Sequence, residues 1–155
     1  MSKGKRFAQY LFFLIVVLLL IYWGTKYGLK LKLTLKETYS IADTFQYYIV
    51  SAVFPILFGL VLGIPAFLRK LQQQGKWVID WMKLLVIGVP TLLLDLSMLF
   101  YSIVAFYAQD KVGFFIRINP FFQVMTMDNR VITLSGIVFG YILICSLTKE
   151  SSDIN

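Results

Sequence analysis

The sequence predicts an all-α membrane protein: a four-helix transmembrane bundle with a small extracytoplasmic β-element formed by its first and third loops. Three observations carry this fold class. Of the 155 residues, 59% are hydrophobic and 15% charged, too little polar surface to coat a soluble particle of this size. The apolar residues gather in four runs of 18 to 25 residues, at 7–24, 46–68, 84–108 and 131–148. Each run is long enough to cross a hydrocarbon layer of roughly 30 Å as a helix. Together the four runs hold one formal charge, Asp95.

The first run, Phe7 to Gly24, follows Lys3, Lys5 and Arg6 and ends on Tyr22 and Trp23. No small-x-small site follows it, so it reads as an uncleaved signal anchor with Trp23 at the interface. The second run stops at Arg69 and Lys70. A short connection containing Gln72-Gln73-Gln74-Gly75 makes it the antiparallel neighbour of the third. Trp77 and Trp81, four residues apart, are read as interfacial anchors on one face of a turn entering the third helix. Pro55, Pro65 and Pro90 fall in or near these helices, where they kink rather than end them. Asp128-Asn129 caps the fourth helix. The whole chain, 1–155, is one multi-pass domain.

The first loop leaves two readings open. Leu29 to Lys36 alternates strictly between leucine and a polar residue, the pattern of a half-buried strand. The third loop, Val112 to Met127, has two strand-like halves around Pro120 and lies on the same side of the membrane. Pairing of the two would form the β-element; otherwise Leu29 to Lys36 is a basic amphipathic stretch resting on headgroups.

Fifteen Lys and Arg stand against eight Asp and Glu. Most of the basic residues flank apolar runs, where they set orientation and touch anionic headgroups, so no nucleic-acid partner is expected. Placing the N-terminus in the cytoplasm leaves eight basic residues inside and seven outside, nearly a tie. The acid-free cluster ahead of the first helix favours both termini in the cytoplasm, in the plasma membrane.

Asp95 is the residue that asks for an explanation. A charge at the centre of a spanning helix costs about 2.5–3.5 kcal/mol on insertion scales and is normally turned inward and partnered. At 3.6 residues per turn, Gly88, Thr91, Asp95, Met98, Ser102 and Ala105 share one face, with Thr91 and Ser102 completing an intramembrane polar site. Leu93, Leu94, Leu96 and Phe100 point elsewhere. No Lys, Arg or His lies at comparable depth, which disfavours the ionised carboxylate. Ser51, Thr133, Ser135 or a carbonyl freed near Pro90 are internal partners; a basic residue of another subunit is the external one.

Two small-residue pairs, Gly59-xxx-Gly63 and Gly136-xxx-Gly140, allow backbones to approach closely. Packing within the bundle is favoured over homodimerisation. Cys145, about half a turn from Gly136, reads as a small apolar filler. The chain has no His and one Cys. Phosphate-binding loops, metal-ligand clusters and nucleophile–base pairs are missing from its sequence. No enzymatic activity, cofactor or metal is therefore expected. An accessory, regulatory or assembly subunit of a membrane protein complex is the leading expectation, with a membrane-protein partner or a homo-oligomer. The alternative is a small oligomeric channel or transporter subunit using Asp95.

Overall fold

The computed structural model describes residues 3–38, 40–108, 110, 112–118 and 130–150. Along them run α1 (Lys3–Thr38), α2 (Ile41–Leu71), β1 (Lys76–Ile79), α3 (Trp81–Tyr107), α4 (Val112–Ile118), α5 (Arg130–Cys145) and β2 (Leu147–Glu150). Three of these helices, α1, α2 and α3, are long and apolar enough to cross a bilayer. The side-chain distribution is that of a membrane protein. Fully buried positions carry small or polar groups such as Ala52, Ser97, Ser102 and Ser135, whereas Leu18, Leu57, Val86 and Leu93 face outward. Water would drive the leucines inward; lipid leaves close packing and polar contacts as the forces between helices.

The first loop is a correction. Leu29 to Lys36 continues α1, which runs for 36 residues, so the predicted strand does not form there. Leucine and lysine are both good helix formers, and a helix already nucleated over the first run extends at little cost. The burial pattern follows the helical period: Leu31 and Leu35 are half-buried, four residues apart, while Leu29 and Leu33 are 58% and 52% exposed. In a strand all four would share one face. Thr34 and Thr38 hydroxyls bond the carbonyls four residues back.

The small sheet is at the opposite end of the bundle. β1, from the α2–α3 connection, pairs antiparallel with β2, Trp77 facing Lys149 and Ile79 facing Leu147. Gly75, at φ 138°, supplies the left-handed turn into β1 that a Cβ would oppose. The fourth run therefore ends as a helix at Cys145 rather than at 148. Its 16 helical residues reach about 24 Å at 1.5 Å per residue. In the third loop, Val112–Ile118 is helical, which replaces the strand expected in its first half. The remainder of that loop, and the Asp128-Asn129 cap, lie outside the described residues.

α3 begins on a cap that the sequence reading passed over. Asp80 Oδ1 accepts the Lys83 backbone N–H at 3.0 Å, and its Oδ2 lies 3.3 Å from Lys83 Nζ. A π-turn follows at Leu84–Gly88, for which Pro90 supplies the reason. Its nitrogen has no proton to give, so the ladder slips and Val89 N–H bonds Leu84 O, five residues back. The Thr91 hydroxyl donates to the carbonyls of Ile87 and Gly88 at 2.8 and 2.9 Å, which satisfies it within its own helix.

The cap carries a pH signature. The Lys83 backbone N–H holds the Asp80 carboxyl below its ordinary value of 3.8, with the Lys83 side chain adding to the effect. A lowered folded-state value stabilises the protein above the unfolded-state value, and that gain is lost as pH falls through the folded one. Asp80→Asn, which still caps, is expected to flatten this acid-side slope. Thermal midpoints of both proteins across the carboxylate range would check it; parallel slopes would dismiss the cap as its source.

Candidate functional site

The site begins with the glycines. α2 and α5 cross so closely that a Cβ on Gly59 would overlap Ile137 O, and one on Gly140 would overlap Ile56 O. One turn along, Gly63 faces Ile144, whose Cβ would lie 3.0 Å from an added methyl. Gly136 faces α3: a Cβ there would overlap the Asp95 carboxyl and come within 2.7 Å of Pro55 Cβ. Glycine is required here because backbone and carboxyl occupy the space a side chain would need. The two pairs are thus brought together within one chain, and their close contacts position Asp95.

Asp95 is 1% exposed. Neither of its carboxyl oxygens has a hydrogen-bond partner among the described residues. The internal latch through Ser135 is not made: that hydroxyl bonds Val131 O and Ile132 O of its own helix. Ser102 likewise bonds Leu99 O, and Thr91 bonds its own helix. Thr91, Asp95, Met98 and Ser102 do share the inner face of α3, with Asp95, Met98 and Ser102 fully buried. Ser97 is buried beside them, bonding Leu94 O; it lies off that stripe, and periodicity alone did not find it.

Asp95 lines a cavity of about 360 Å³ between α1, α2, α3 and the shorter α5. Ser51, Thr133, Tyr47 and Tyr48 contribute polar groups, and Phe54 and Met98 apolar wall. Lys32 lines it too and is exposed. A basic residue thus lines the same cavity as the acid, from the part of α1 that the sequence reading places in a loop. The signal was in the sequence: once α1 is read as helix through Thr38, Lys32 falls two turns beyond Gly24–Thr25, the residues that line the cavity from the same helix. The two form no ion pair, Lys83–Asp80 being the one present among the described residues.

The Phe54 ring seats on Gly24, where any Cβ would overlap it. It borders a second cavity as well, about 430 Å³ and wholly apolar, bounded by Leu20, Leu57 and Ile64. Trp23, 64% exposed, lies beside this contact within α1 rather than at a helix end. Trp81 is exposed at the start of α3. Trp77 belongs to β1 and stacks on Phe67 at 5.5 Å, so the two tryptophans share no helical face. No group of three His, Cys, Asp or Glu capable of holding a metal comes together among the described residues.

No family model, curated protein or solved structure matches this chain.

Proposed function

We propose that the protein is a multi-pass, non-enzymatic component of the plasma membrane, an accessory, regulatory or assembly subunit whose recognition site is the Asp95 cavity. One observation carries the reading: a buried carboxyl with both oxygens unpartnered beside a cavity. A polar group left so in a low-dielectric interior costs free energy until something donates to it; none of the described residues donates, and the reading takes the donor from a partner. The glycine faces are occupied by internal packing, which leaves the outer faces of α1 and α3 for lipid or a partner helix. α5 serves as the fourth span of the bundle. The N-terminal end of α1 shares one end of the molecule with the β1–β2 sheet and its lysines, which supports cytoplasmic termini.

The test is the state of the full chain extracted from its own membrane in mild detergent. A complex of fixed stoichiometry with a second membrane protein, seen by native mass spectrometry, is the expected result. A monomer would overturn the reading. A homo-oligomer that passes ions in liposomes would replace it with the channel alternative, which the polar lining from Lys32 through Tyr48 to Asp95 favours.

A further inference from the structure

We infer that the apolar cavity beside the Phe54–Gly24 contact is a binding site for one acyl chain of a bilayer phospholipid. The site is separate from the Asp95 cavity and does not depend on the function proposed for that cavity. Its walls come from three helices: Leu20 of α1, the stretch from Phe54 to Ile64 of α2, and Ile144 of α5. Every lining side chain is aliphatic or aromatic, so nothing in it holds water, which needs two to four polar partners. α1 and α2 are long and apolar enough to cross a bilayer, and their lining residues fall inside the apolar runs 7–24 and 46–68. The medium at its mouth is therefore hydrocarbon.

Shape selects a single chain. From Phe54 to Ile64, α2 rises about 15 Å at 1.5 Å per residue. A volume of about 430 Å³ spread over that length is a slender channel, the form of an extended hydrocarbon chain. A helix about 10 Å across does not enter it. The Phe54 ring, seated on Gly24, borders both cavities and closes the end toward Asp95. Beyond the other end, about 7.5 Å of helix separates Ile64 from Arg69. Arg69 is exposed and makes no ion pair among the described residues, whereas Lys70 is engaged by Cys145 O and Leu147 O. A cation at that depth stands at the level of the phosphates, which favours a phospholipid over a neutral lipid. The chain also completes a seam. α1 packs chiefly on α2 and buries none of its most apolar stretch. Helices in lipid associate through van der Waals contact, and a gap between them forfeits dispersion that an ordered chain supplies.

The full chain, extracted from its membrane in mild detergent, is expected to retain one phospholipid in native mass spectrometry after exchange into fresh detergent. Val61 lines the channel, and Val61→Phe should fill it and lower occupancy at least tenfold. Leu93→Phe adds bulk on the outward face of α3, where Leu93 is 59% exposed, and should leave occupancy unchanged. Leu57 lines the channel and is 52% exposed, so Leu57→Trp tests the site even if Val61→Phe fails to fold. Dioleoylphosphatidylglycerol returned to the delipidated protein should raise its thermal midpoint saturably. Dihexanoylphosphatidylglycerol, with the same headgroup and chains too short to fill the channel, should bind at least tenfold more weakly. No retained lipid, a retained lipid without phosphate, an equal response to the short-chain lipid, or full occupancy in both channel variants would overturn the inference. So would a partner helix that cross-links to Leu57 in place of lipid. If lipid is retained by a chain that forms no hetero-complex, this inference stands and the accessory-subunit reading falls.

Discussion

Gly140→Ala is expected to loosen the α2–α5 pairing and lower the unfolding midpoint of the protein in detergent, while Gly28→Ala leaves it unchanged or raises it. Both glycines lie in helices, so both substitutions gain about 1 kcal/mol of helix propensity. They differ in what the new methyl meets. At Gly140 it overlaps Ile56 O and lies 2.9 Å from Leu60 N, backbone atoms that cannot rotate away, so the helices must separate. Overpacking typically costs about 1–3 kcal/mol, and separation here also weakens the mirrored contact of Gly59 with Ile137. At Gly28 nothing lies within 4 Å of the added atom. Gly140→Leu should be more severe than Gly140→Ala, since the longer side chain forces a wider gap. A Gly140→Ala protein as stable as the parent would show that this crossing does not hold the fold.

Much of this packing was legible because it follows from period and residue size. Four-residue spacing of glycines and the small polar face of α3 are both consequences of 3.6 residues per turn, and they place Gly59, Gly140 and Asp95 inside. Two features were not. The alternation from Leu29 to Lys36 satisfies a strand locally, and only continuity with the preceding helix decides against it. The misreading had a further effect: with α1 ended at Gly24, Lys32 became a loop residue, and Asp95 seemed isolated from any cation. The other is the sheet. β1 and β2 are four residues each and distant in sequence, and their pairing depends on where α2 and α5 end together, which local pattern does not encode.

That shared end supports the last prediction. Lys70→Met and Lys149→Met should each destabilise the protein, and the double variant should lose less than the sum of the two. Every helix leaves its final carbonyls without intrahelical donors. Lys70, in the last turn of α2, sends its Nζ to Cys145 O at 2.7 Å and Leu147 O at 2.8 Å, at the end of α5. Lys149, in β2, returns the contact to Leu71 O at 3.1 Å and Gln73 O at 2.6 Å, at the end of α2, with its Nζ 4.9 Å from the Trp77 ring centroid. Each cation therefore caps the other segment's helix, where the macrodipole also favours it. Hydrogen bonds to a charged group contribute about 1.5–3 kcal/mol. Lys70 should show the larger loss, because its bonds are part-buried and those of Lys149 are exposed. Methionine keeps an unbranched apolar stem and removes the donors. Once either lysine is gone, β2 is held to α2 from one side only, and the remaining cap loses part of its geometry. Residues that act on one junction couple rather than add. A double-mutant cycle on unfolding midpoints measures that coupling, and strict additivity would mean that the two lysines cap independent ends.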